Sequence, residues 1–282
     1  MLRGAALALI VATALHAASF TVGRMSLHQF EDGPILPVAY EFLPGETAYF
    51  SCRLAGFQAD KAADPNNETQ HVKLSWHMEV SDPAGTLLQK PETGVIEHTL
   101  LAEDKDWSPK FLATFVVPAF ALSGDYRISV KARDELAGTD AAAELVFHVK
   151  GHALEPSSTL TVRNFLFLRG EQDTLGMRNA VYHPGDTLFA RFDVTGYTFA
   201  QNNRFSVTYS LAVENADGKE LFAQPEAGSE AKESFYPQPY VPGTLNLNLD
   251  KNVPAALYTL VVTVKDTLSG QTAEVRQPFK VE

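Results

Sequence analysis

Apolar and polar residues alternate with a period of two along most of this chain. In "TAYFSCRL", Ala48, Phe50, Cys52 and Leu54 share one phase, and Thr47, Tyr49, Ser51 and Arg53 share the other. In "VKLSWHMEV", Val72, Leu74, Trp76, Met78 and Val80 point one way, and Lys73, Ser75, His77 and Glu79 the other. Phe111, Ala113, Phe115 and Val117 repeat the pattern, as do Leu245, Leu247 and Leu249 with Asn246 and Asn248 between them. Such alternation marks strands buried on one face. No long helical period competes with it. Turn signals separate the runs: Pro44-Gly45 and Pro184-Gly185 ahead of a strand, and "DPAG" and "NADG" as hairpin turns.

The pattern occurs twice. "FLPGETAYFSCRLAGF" from Phe42 has a near-copy, "YHPGDTLFARFDVTGY", from Tyr182, at a constant offset of 140 residues. The offset falls to 133 where Val72, Leu74, Trp76, Met78 and Val80 match Phe205, Val207, Tyr209, Leu211 and Val213. It is 132 where Tyr126, Asp134, Gly138, Phe147 and Val149 match Tyr258, Asp266, Gly270, Phe279 and Val281. The first copy therefore carries a seven-residue insertion, which falls in the polar run "QADKAADPNNETQ". The predicted fold is all-β: two tandem antiparallel β-sandwich domains related by internal duplication. Domain 1 spans 20–150, a Gly- and Pro-containing linker 151–158, and domain 2 159–282.

Composition adds compartment and excludes some partners. The 282 residues carry a net charge of −11, which disfavours nucleic acid and anionic lipid. Arg3, an apolar run from Ala5 to Leu15 and the small residues up to Ser19 have the layout of a secretory signal peptide over 1–19. The run is shorter than the ~20 residues of a membrane span, and no later segment spans a bilayer. The expected location is therefore exported, periplasmic or extracellular. Cys52 is the only cysteine, so no disulfide staples either domain and both must stand on core packing.

Trp76 on its inward mid-strand position and Tyr126 in "GDYRI" resemble the core tryptophan and the tyrosine corner of immunoglobulin domains. From Phe20 to Glu282 the chain resembles the tandem immunoglobulin-like or fibronectin-III-like modules of exported bacterial proteins, without their disulfide pair. That resemblance implies a fold and, by analogy, a role in recognition.

Candidate chemistry is sparse. Cys52 lies on an inward phase and is replaced by Phe192 in the second copy, so it reads as a core residue rather than a nucleophile. His77 and His148 match Ser210 and Lys280, which makes them surface positions rather than metal ligands. "DKAADPNNET" offers oxygen ligands but not the alternating spacing of a calcium loop, and Asn67 begins a glycosylation sequon. No nucleophile elbow, phosphate loop or other catalytic constellation is present, so no enzyme, cofactor or metal is expected. The candidate binding residues are aromatics in proline-stiffened loops: Phe235, Tyr236 and Tyr240 in "ESFYPQPYVPG", and Trp107 in the corresponding loop of the first copy. Their plainer reading is packing against a sandwich edge.

The expected function is a non-enzymatic exported interaction or scaffolding protein. It would recognise an envelope or extracellular protein through loops or edge strands. One alternative is a carbohydrate-binding protein using the four aromatics on a polysaccharide. Another is a periplasmic chaperone of the pilus-assembly type, with Lys150, Arg163 and Arg169 near the cleft, against which the acidic charge weighs.

Overall fold

The computed structural model describes residues 19–61, 69–101, 103–104 and 106–282. The predicted signal, apart from Ser19, lies outside them. So do most of the candidate calcium loop and the Asn67 sequon. The described residues form strands and one 3-10 turn, with no α-helix.

In the first half the strands are β1 (Thr21–His28), β2 (Glu41–Phe42), β3 (Thr47–Ala55), β4 (Asp60–Lys61), β5 (Gln70–Ser81), β6 (Glu92–Leu100), β7 (Lys110–Val116), β8 (Gly124–Asp134) and β9 (Thr139–Val149). In the second they are β10 (Thr161–Leu168), β11 (Val181–Tyr182), β12 (Thr187–Thr195), β13 (Phe205–Glu214), β14 (Glu220–Lys232), β15 (Val241–Asn248), β16 (Ala256–Asp266) and β17 (Thr272–Val281). Each half has a three-stranded sheet, β1-β3-β7 or β10-β12-β15. The other sheet runs β2-β9-β8-β5 with β4 and β6 on β5, or β11-β17-β16-β13-β14. Pairing is antiparallel except for β2 on β9 and β11 on β17, which are parallel. The two copies match in irregularities as well. The β1–β3 ladder shifts register between Gly23 and Ser26, and the β10–β12 ladder between Arg163 and Leu166. Arg24 and Asn164 take positive φ at these bulges.

The inward phases read from the sequence form two separate cores. Ala48, Phe50, Cys52 and Leu54 are at most 1% exposed, and Phe111, Ala113 and Phe115 lie beside them on the neighbouring strand of the same sheet. Leu188, Ala190, Phe192 and Val194 are at most 2% exposed in the second core, beside Leu245 on the same sheet and opposite Leu260 on the other. Trp76 keeps its inward phase but is only half-buried. Its ring lies flat on Phe111, centroids 4.1 Å apart, and covers Gly94 on the neighbouring strand. A Cβ at Gly94 would come within 2.5 Å of that ring. Tyr209 covers Gly228 in the same way, so an aromatic fills the space a glycine leaves in both copies. The strands β6 and β14 stand out least in the sequence: β14 is largely exposed on both faces, and β6 turns only Gly94, Ile96 and Leu100 towards the core.

The repeated sequence words each close a turn. Gly45 and Gly185 adopt φ of 84° and 88° in the Pro-Gly turns. The acid that follows folds back on the turn: Leu43 N donates to Glu46 Oε2 at 2.8 Å, and His183 N to Asp186 Oδ2 at 2.7 Å. The tyrosine corner is present twice, with Tyr126 Oη donating to Leu122 O at 3.0 Å and Tyr258 Oη to Pro254 O at 2.9 Å. Asp134 and Asp266 are fully buried. Asp134 accepts from the backbone N–H groups of Gln58, Leu136 and Ala137. Asp266 accepts from those of Thr198, Leu268 and Ser269 and from the Ser269 hydroxyl. Each aspartate thus ties its hairpin turn to the loop after β3 or β12. Burial would raise the Asp266 pKa, but the donors from Ser269, Thr198 and Leu268 outweigh it and hold it at about 2.

Two outcomes follow for stability. Cys52, with no exposed surface, has its thiol pushed up to about 12 by burial. Cys52→Asp places an unpaired charge between the sheets and is expected to cost ~3–5 kcal/mol in denaturant unfolding; an unchanged midpoint would show the strand phase to be wrong. Asp266, whose carboxylate is held down in the folded state, contributes stability above pH ~4 that is lost as pH falls towards 2. Asp266→Asn should therefore cost ~2 kcal/mol at neutral pH. The gap from the wild type should narrow as urea melts are repeated from pH 4 down to 2.

Candidate functional site: the junction and the free end

Gly151 and His152, just after β9, are docked onto the first sandwich. His152 N donates to Ala121 O at 3.1 Å, and Ser123 Oγ donates to Gly151 O at 2.9 Å. A Cβ at Gly151 would lie 2.1 Å from Ala121 O, so only glycine fits this approach. From that anchor the His152 side chain reaches the second sandwich. Its Nε2 lies 2.6 Å from Oδ2 of Asp193, a carboxylate only 5% exposed. Asn164 Nδ2, at the bulge of β10, donates to the same oxygen at 2.7 Å and to Ala153 O at 3.1 Å.

The Tyr-Pro loop, between β14 and β15, completes the contact. Tyr240 stacks on His152 with centroids 4.4 Å apart and meets Phe120 edge-on at 5.6 Å. Lys232 Nζ lies 5.1 Å from the centre of the Phe120 ring. Tyr236 packs against the first core and donates from Oη to Asp82 Oδ2 at 3.0 Å. Asp82 spends its other oxygen closing its own turn, accepting from Ala84 N and Thr86 N. Burial first, then the neighbouring Tyr126 and Asp82, push the Tyr236 phenol up, so it stays a donor. The Tyr240 phenol is raised too, by burial and by Asp193. Under this contact a cavity of about 140 Å³ is lined by Phe120, Lys232, Ser234, Tyr236 and Gln238 among others.

The four sequence-predicted aromatics are thus distributed. Tyr236 and Tyr240 lie in the junction, and Phe235 beside it is 47% exposed. Trp107 sits at the opposite end of the first sandwich, where Phe57 meets it edge-on at 5.5 Å and His98 stacks on it at 5.0 Å. The 12-residue strand β5 separates that end from Asp82 by ~35 Å. The two sandwiches therefore contact head to tail: loops at one end of the second meet loops at the other end of the first. The Trp107 end is the free counterpart of the docking end. Sequence reasoning missed His152, Asp193 and Asp82, because their partners lie far along the chain.

A depression of about 770 Å³ lies on the sheet of β5, β6, β8 and β9 and includes Ser75, His77, Val95, Lys131, Arg133 and Ala142. No group of three His, Cys, Asp or Glu among the described residues is placed to hold a metal ion. No described helix is long and apolar enough to cross a membrane.

No family model and no curated protein matches the chain. Among solved structures, a family 123 glycoside hydrolase from Clostridium perfringens is 14% identical over 43% of this chain, with a TM-score of 0.31; the chain covers 27% of that one. The C-terminal domain of the Streptococcus agalactiae antigen I/II polypeptide BspA is 10% identical, with 94% of this chain and 100% of that one covered and a TM-score of 0.28. The corresponding domain of the Streptococcus pyogenes protein AspA, also of the antigen I/II family, is 9% identical, with coverages of 94% and 99% and a TM-score of 0.29. At these scores the likenesses carry no argument about function.

Replacing both anchors, as in His152→Ala with Tyr236→Ala, should leave each core folded and loosen the junction. Small-angle scattering is expected to show a larger radius of gyration and a flexible profile, with each lost hydrogen bond worth ~1 kcal/mol. A profile identical to the wild type would show that these contacts do not hold the arrangement.

Proposed function

We propose that this is an exported, non-enzymatic interaction protein. Its two modules, 20–150 and 159–282, joined through 151–158 behind a cleaved signal 1–19, present loops and strand edges to an envelope or extracellular protein. The observation that carries the reading is the fate of the reactive side chains. Cys52 is a core residue, Asp134 and Asp266 close turns, and His152 and Asp193 join the modules. Side chains spent on architecture in this way leave loops and edges as what the surface has to offer.

A protein partner is favoured over a polysaccharide by the placement of the aromatics. A sugar platform needs rings sharing one surface. Trp107 is separated from Tyr236 and Tyr240 by the length of a sandwich, and the two tyrosines are covered by the first module.

The test is a crosslinked pull-down of residues 20–282 from the envelope extract of its own organism, with crosslinks mapped by mass spectrometry. The expected result is one dominant protein partner with crosslinks at the Trp107 end or along an edge strand. Retention on cell-wall polysaccharide alone, lost with Trp107→Ala, would replace this reading with the carbohydrate one.

A further inference from the structure

The duplication supplies an internal control for edge pairing. In the first module, among the described residues, β6 pairs only with β5, in an unbroken register from Gln70↔Leu100 to Met78↔Glu92. Its outer row of backbone N–H and C=O groups is therefore open to another strand. The same edge in the second module, β14, is protected. Pro225 interrupts it, the register with β13 shifts between Tyr209 and Leu211, and Glu220, Glu226 and Glu230 stand along it. Within β6 there is no proline and no bulge. Thr93, Val95, Glu97 and Thr99 are exposed on its outer face, with Val95 at 62%.

We propose that β6 pairs antiparallel with β6 of a second copy of this chain, about a two-fold axis at Val95. The sequence of the edge selects both occupant and register. A two-fold axis perpendicular to the sheet keeps each face continuous, so opposed residues share a face. With Val95 on the axis, Val95 meets Val95 and Thr93 meets Glu97 on the outer face. On the other face Gly94 meets Ile96, and Glu92 meets His98 twice, a carboxylate opposite an imidazole at both ends of the ladder. Pro91 ends the ladder just beyond Glu92. Moving the axis to Ile96 sets Glu92 against Leu100. Moving it to Gly94 sets Glu92 against Ile96 and brings Lys90 to His98. Only the Val95 register pairs these groups.

A single pair of edges buries less than the area of a strong interface, so the association is weak and the concentration range must be high. The proposal is independent of the partner reading: it concerns the purified protein alone. Sedimentation equilibrium of residues 20–282, taken to several hundred micromolar, is expected to show a monomer–dimer equilibrium. Val95→Lys puts two like charges on the axis without disturbing a buried residue and should weaken the dimer roughly tenfold or more. Glu92→Lys should do the same, and Glu92→Lys with His98→Glu should restore it. Circular dichroism confirms that each variant is folded. A monomer throughout the range overturns the proposal. So does a dimer indifferent to Val95→Lys, or one that the double exchange fails to restore.

Discussion

Everything in this molecule rests on closing two sheets against each other without a covalent tie. With one cysteine, buried and unpaired, cohesion comes from apolar rows on facing sheets: Phe50, Cys52, Phe111 and Phe115 against Leu74, Met78, Ile128 and Val130 in one module, Phe192, Val194 and Leu245 against Leu211, Leu260 and Val262 in the other. That packing tolerates exchange of Cys52 for Phe192 because the sheets can redistribute volume through partners such as Gly243, whose missing side chain makes room for the Phe192 ring. It does not tolerate loose ends. The buried aspartates Asp134 and Asp266, and the tyrosine corners of Tyr126 and Tyr258, satisfy backbone groups at the rims where ladder bonds stop.

How much of this could be read beforehand follows from where the information sits. Strands buried on one face advertise themselves by alternation, so β3, β5, β7 and their twins were legible in phase, though β15 begins at Val241, inside the stretch that reads as a loop. Turn chemistry is local too, and Pro44-Gly45 and the Asp82 turn were plain. Strand β14 buries neither face, and β6 alternates only weakly, with Ile96 against the core between the exposed Val95 and Glu97. The junction was illegible for a different reason. Tyr236 meets Asp82 across 154 positions, and nothing near either residue records the other. Proline-stiffened aromatics in a loop have the same spelling whether they face a ligand or a neighbouring module.

Comparison of the twins explains why a duplicated chain has a single junction. The residues that join the modules do not recur at the corresponding places. Asp193 and Asn164 stand where the first copy has Arg53 and Arg24, and Asp82 and Phe120 where the second has Asn215 and Asn252. Arg53 instead donates to Ser108 O at 2.9 Å, within its own module. The cores kept their common pattern while the ends diverged. The joining chemistry is thus specific to one pair of ends, and the Trp107 end is left with a surface of its own.

The parallel pairs β2–β9 and β11–β17 have a mechanical meaning. Each module is entered at one end and left at the other, so tension along the chain runs nearly parallel to its strands. The bonds between Glu41 and His148 and between Phe42 and Val149, and their twins at Val181 and Tyr182, then lie across the line of pull. They must yield together in shear rather than peel one at a time. Resistance to stretching is then a rate rather than an equilibrium, and the two modules, loaded in series, bear the same tension while their extensions add.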